Sequence, residues 1–186
     1  MKRVAILIAL GLFLAAAVPV APAADRLMLA VGVSYIQPAD SGYKAIYGNH
    51  VFYPEAWAGA RVFRGLHVFA GYGWLTKKGT TPDLGLEAKS TQRYFWAGLG
   101  YVGRVADMVQ FKFEAGAAGI GYKEEAMGLI VSGSRLGIRA GAGLLFLSRT
   151  LFTGLDLGYL GASAAVEDVP IKLGGFKASV CVGVRL

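Results

Sequence analysis

The stretch Phe176–Leu186, FKASVCVGVRL, decides how the rest of the chain is read. Phe176, Ala178, Val180, Val182, Val184 and Leu186 alternate with Lys177, Ser179, Cys181, Gly183 and Arg185. A period of two puts these sets on opposite faces of a β-strand, one face wholly apolar and the other small or charged. A strand this long and this two-faced points to a barrel that closes at its last strand. That reading requires the same alternation upstream.

It recurs seven times. Leu27–Ile36 sets Leu27, Leu29, Val31, Val33 and Tyr35 against Met28, Ala30, Gly32 and Ser34. Residues 56–64 set Ala56, Ala58, Ala60 and Val62 against Trp57, Gly59, Arg61 and Phe63, a pair of faces too similar to orient from sequence. Leu66–Leu75, Thr91–Gly103, Met108–Tyr122, Val131–Leu145 and Thr150–Leu160 complete the set. Within Met108–Tyr122, a helix over 112–118 is disfavoured by the glycines and by strict alternation. The predicted connections alternate, long over 37–54, 77–90, 123–130 and 161–172 and short near Gly65, 104–107 and 147–149. Short turns at one end and long loops at the other are the signature of an up-and-down transmembrane barrel.

Composition agrees. The 186 residues are 55% hydrophobic and only 17% charged, with 27 glycines, which suits twisted strands carrying a wide apolar surface. The net charge of +7 comes from scattered Lys and Arg residues that form no run, so nucleic acid is not an expected partner. Cys181 is the single cysteine, which excludes an intrachain disulfide and a cysteine-cluster zinc site. No cofactor is expected. Residues 1–23 combine Lys2-Arg3, an apolar run from Val4 to Val18 and Ala21-Pro22-Ala23, and are read as a cleavable signal peptide ahead of a barrel domain over 24–186. Pro19 and Pro22 argue against an uncleaved membrane helix.

With the apolar faces turned to lipid, the strand charges converge on the interior. Arg61, Lys112, Glu114, Arg135, Arg139, Asp156, Lys177 and Arg185 are the expected lumen network. An Arg or Lys facing lipid at the bilayer midplane would cost about 2–4 kcal/mol. Glu114 and Asp156 are the acids that this facing puts in the lumen, so bases are in excess there. Tyr72, Trp74, Tyr94–Trp96, Tyr122 and Tyr159 are expected near the outer rim, with Tyr101, Phe111 and Phe146 near the inner one.

Other motifs carry less. Gly98–Gly103 matches G-x-G-x-x-G, but another strand follows where a dinucleotide site needs a helix. His50 and His67 are the only histidines; a lipid A-modifying enzyme would set one beside a serine or an acid, with Asp40 and Ser41 the candidates in the loop that carries His50. Glu124 and Glu125 are read as part of a solvated loop, with a bound cation as the sharper alternative.

The chain after the signal resembles the small eight-stranded outer-membrane barrels of Gram-negative bacteria, typified by the OmpA membrane domain and OmpX. The resemblance rests on strand count, loop alternation, the charged interior and the last strand. It implies residence in the cell outer membrane among lipids and lipopolysaccharide. It also implies insertion by the barrel assembly machinery through a final strand read at Phe176, Val180, Val182, Val184 and Leu186, although such strands usually end in an aromatic residue. The function expected is structural or surface-interacting, without catalysis. The alternatives are a lipid A-modifying enzyme, a narrow solute channel and a soluble lipocalin-like barrel.

Overall fold

The computed structural model describes residues 26–186 apart from Met127, Glu167 and Asp168; the signal peptide lies outside the described residues. Eight antiparallel strands close into one barrel in sequence order: β1 (Leu27–Pro38), β2 (Val51–Phe63), β3 (Leu66–Thr80), β4 (Glu87–Ala106), β5 (Val109–Ala126), β6 (Leu129–Ser148), β7 (Leu151–Val166) and β8 (Val169–Arg185). One helix, α1 (Ser41–Tyr47), interrupts the strands between β1 and β2. The seam joins β8 to β1 from Met28↔Arg185 to Pro38↔Gly175, so every strand has two neighbours. No helix among the described residues is long and apolar enough to cross a membrane. Lipid offers no partner for backbone N–H and C=O groups, and closure is what satisfies them in a strand-built wall.

The alternation sorts side chains cleanly. On β6, Leu136, Ile138, Ala140, Ala142, Leu144 and Phe146 face out while Arg139 and Leu145 are buried. That outward run spans the roughly 9–11 residues a tilted strand needs to cross the hydrocarbon. Tyr72, Trp74 and Phe95 lie at one edge of the apolar belt, and Tyr101 stacks on Phe111 at the other. Tyr94, Trp96 and Tyr122, expected at the outer rim, are instead buried inside the barrel. Their neighbours Phe95 and Lys123 take the outward positions, because parity on a strand leaves no other choice.

Strand β2 starts five residues earlier than its sequence pattern, at Val51. It turns Val51, Tyr53, Glu55 and Trp57 inward, which settles its facing. At the short-turn end, Arg64 and Arg149 take φ values of 45° and 51°, left-handed positions that permit tight hairpins at some steric cost.

Three of the predicted long loops are largely strand. β3 and β4 pair out to Thr80↔Glu87, β5 and β6 to Ala126↔Leu129, and β7 and β8 to Val166↔Val169. Beyond the lipid belt neither face needs to be apolar, so the period-two signal fades while the backbone ladder continues. β6 and β7 part company above Ile138↔Gly161, which leaves the upper end of β6 without that neighbour. Helix α1 fills the mouth differently. Asp40 caps it, its Oδ1 accepting from the Tyr43 N–H at 2.9 Å. The helix then lies so close to β3 that a Cβ on Gly79 would collide with the Ile46 carbonyl.

Candidate functional site: a charged plug and a mouth cavity

Two features fill the barrel. The lower one is a block of aromatic and charged side chains. Trp57 packs edge-on against Phe69 and beside Phe152, with ring centroids 5.8 and 5.7 Å apart. Lys112 Nζ sits 4.4 Å above the Trp57 ring, 2.9 Å from Asp156 Oδ1 and 3.3 Å from Glu114 Oε2. Arg139 lies over Trp96, Cζ 3.7 Å from the ring centroid, and reaches Glu114 Oε1 at 2.7 Å and Glu55 Oε1 at 3.0 Å. Lys177 pairs with Glu55 Oε2, which also accepts from the Ser34 hydroxyl at 2.7 Å.

These six ions form one connected set. Glu55, Glu114 and Asp156 oppose Lys112, Arg139 and Lys177, so the set is formally neutral. All six are buried. Ions taken this far from water are tolerated only when each has a partner. Glu55 adds a third acid to the two expected in the lumen and, with Arg61, Arg135 and Arg185 outside the set, matches its three bases. Its neighbour Pro54 and the preceding polar stretch make it read as loop, and the inward aromatics of β2 hide the alternation that would have found it.

Five of the eight predicted network residues, Lys112, Glu114, Arg139, Asp156 and Lys177, belong to this set. Arg61, Arg135 and Arg185 do not. Arg61 sits beside the register shift near the end of β2, opposite His67. Arg135 has inward parity but lies above the point where β6 leaves β7; it is exposed, and its guanidinium donates to the Ser134 carbonyl at 3.0 Å. Arg185 lies at the opposite end, where its guanidinium donates to the Arg149 carbonyl in the β6–β7 turn. Parity assigns a face to these residues but carries no information on their height along the wall.

The histidines are apart. His67 is buried, stacked on Phe69 at 5.6 Å and bonded through Nδ1 to the Gly65 carbonyl at 2.9 Å. His50 is exposed and meets the Tyr35 hydroxyl at 2.9 Å. Asp40, the acid considered with His50 from the sequence, is committed elsewhere: it caps α1 and accepts from the Lys172 N–H at 3.0 Å. Cys181 is buried in the packed interior.

Above the plug, under α1, the mouth holds a cavity of about 290 Å³. Tyr43, Tyr47, Leu75, Tyr94, Tyr122 and Glu124 are among its walls. Glu124 and Glu125 lie on β5 rather than in a loop, and parity separates them. Glu125 points out and pairs with Lys123 at 2.8 Å and Lys89 at 4.0 Å. Glu124 points in; Oε2 accepts from the Tyr47 hydroxyl and Oε1 from the Ser90 hydroxyl, both at 2.6 Å. Its row lies beyond Arg93, where the outward residues of β4 have already turned from apolar to charged, so it stands above the lipid belt. Burial pushes the Glu124 carboxyl above the usual range, with the bonds from Ser90 and Tyr47 pulling the other way. Tyr43 is pushed up to about 12, chiefly by burial.

No protein-family model matches the chain, and no curated protein matches it by sequence. Solved structures do match its fold. Ail, the attachment invasion locus protein of Yersinia pestis, seen in complex with the heparin analogue sucrose octasulfate, aligns over 87% of this chain and 99% of its own at 15% identity and a TM-score of 0.59. Neisserial surface protein A aligns over 89% and 99% at 14% identity and a TM-score of 0.55. The N-terminal β-barrel domain of Pseudomonas aeruginosa OprF aligns over 88% and 100% at 13% identity and a TM-score of 0.53. By its fold, this chain is an eight-stranded barrel of the small outer-membrane type.

Proposed function

We propose that this protein is an integral outer-membrane barrel with a structural and surface-interaction role, exported through residues 1–23. One observation carries the reading. The outward face is apolar across the height of a bilayer and then changes, on β3, β4 and β5 together, to Lys78, Lys89, Arg93 and Lys123. A soluble barrel would expose that apolar belt to water, where patches of such size are not tolerated. Lys78 and Arg93, with Lys89 and Lys123 around Glu125, supply donors suited to anionic oxygen, which supports phosphate groups of lipopolysaccharide as the proposed partner. The sulfated ligand on Ail makes anionic saccharides a reasonable class to test beside it.

Phe176, Val180, Val182 and Val184 of β8 and the adjoining Leu186 are the segment proposed for recognition by the barrel assembly machinery. The plug of buried ions and rings fits a structural barrel better than a passage. Cell fractionation with heat-modifiable gel mobility tests the reading. Recovery in the outer-membrane fraction as a compact species that unfolds on boiling is expected; recovery in the periplasm without detergent would refute it. Replacing Lys78, Lys89, Arg93 and Lys123 with glutamate should weaken binding to purified lipopolysaccharide at least tenfold and leave folding intact.

A further inference from the structure

The mouth cavity contains a combination that the membrane role does not use. Glu124 projects into a space walled mainly by aromatic and aliphatic side chains. Its two oxygens are held by Tyr47 and Ser90, and no ion pair involves it among the described residues. The hydrogen bonds continue inward, Gln92 donating to Ser90 at 3.4 Å and Tyr94 to Gln92 at 2.6 Å, so the carboxylate is fixed in place. Four tyrosines, Tyr43, Tyr47, Tyr94 and Tyr122, line the same space, the first two with ring centroids 4.5 Å apart. Asp40 is the second acid in the lining; Lys172 is the one basic residue there, and it is exposed.

We propose that this cavity is a binding site for a small alkylammonium ion, whose positive charge meets Glu124 and the faces of the tyrosines while its alkyl groups fill the space against Leu75 and Ile171. The chemistry is specific in three ways. Aromatic rings attract a cation through the negative potential over their faces, and a cage of several rings is the usual receptor for quaternary and alkylated ammonium groups. A fixed carboxylate at the edge of the cage supplies the full opposite charge. The lining offers an anion little in return, and a hydrated metal ion would leave the aliphatic wall unused. The cavity's 290 Å³ falls just below the range of drug-sized sites, in keeping with a small ion.

The full-length protein, purified in a maltoside detergent so that no choline headgroup is present, provides the test. Choline is titrated beside its neutral isostere 3,3-dimethyl-1-butanol, with binding followed by calorimetry and by saturation-transfer NMR of the methyl groups. Choline should bind at least tenfold more tightly than the neutral isostere, and E124Q should reduce that preference to threefold or less. L75W, which fills the space without touching the charge, should abolish binding of both. Heat-modifiable mobility shows whether each variant is folded. Phosphocholine distinguishes a free amine from a lipid headgroup; it should bind more weakly than choline, and equal or tighter binding would overturn the assignment to a free ammonium. Absence of choline binding, absence of a preference for the cation, or a preference that survives E124Q would overturn the site itself.

Discussion

Glu55 on β2 holds two cations from strands on the far side of the seam: its Oε1 lies 3.0 Å from Arg139 of β6, and its Oε2 pairs with Lys177 of β8. The carboxylate also accepts from Ser34 of β1. One side chain therefore ties four strands together from inside.

Neutralising it should be costly. Glu55→Gln leaves Arg139 with only Glu114 and Lys177 without a charged partner, and breaking a buried pair in this way costs about 3–5 kcal/mol. The variant should unfold at a clearly lower temperature in detergent, followed by the loss of heat-modifiable mobility. Adding Lys177→Met to Glu55→Gln should recover part of the loss, since the stranded cation is then gone. Glu114→Gln should also lower the unfolding temperature, because it weakens Lys112 and Arg139 together. An unchanged midpoint in all three would mean that water satisfies these ions.

The outer face should respond to charge by position. Leu157 faces out between Ala142 and Ala178, in the middle of the belt. Leu157→Arg should cost about 2–4 kcal/mol in a lipid bilayer. Arginine at Thr80, beyond the belt, should be close to neutral. Equilibrium urea unfolding in vesicles measures both, and equal costs would argue against the proposed depth.

The plug should resist ions. Trp57, Phe69 and Phe152 pack against the ion set across the lumen, and Phe69 and Phe152 are almost wholly buried. Planar bilayers containing the protein should show no steady single-channel conductance. A stable ohmic channel would revive the narrow-passage reading.

Glu124 gives a pH dependence of known sign. Its carboxyl titrates above the ordinary range in the folded state because of burial. A raised carboxyl favours the protonated form of the native protein, so its contribution to stability is complete at low pH and is lost as pH rises through the raised value. Glu124→Gln should therefore be more stable than the parent at pH 8, and the difference should vanish well below the carboxylate range. Choline binding runs the other way, strengthening as Glu124 ionises. A parent and variant with parallel stability profiles would show that Glu124 is not desolvated.

The strands that faced lipid on one side and small or charged residues on the other were legible in the sequence. β5 and β8 show this most clearly, since Val109, Phe111 and Phe113 or Val180, Val182 and Val184 have no apolar rivals on the inner face. β2 was obscure because Tyr53 and Trp57 are as apolar as the outward Phe52 and Ala58, and Glu55 fell in what read as loop. The mouth cavity was not legible at all. Glu124 and Glu125 are adjacent and identical, and only the continuation of the β5 ladder past Tyr122 turns one inward and the other out.

The neutrality of the plug has a consequence for how the barrel is assembled. Its three acids and three bases come from β2, β5, β6, β7 and β8, and Lys177 meets Glu55 only across the seam. An open sheet of the same strands would hold an unmatched cation at one edge and an unmatched acid near the other. Closing in the native register joins them. A slip of β8 by two residues would keep Val180 and Val182 toward lipid yet move Lys177 about 7 Å along the wall. The apolar belt is blind to that error, because it repeats every second residue. The ion set is not periodic, so only the native register of first and last strands brings Lys177 to Glu55.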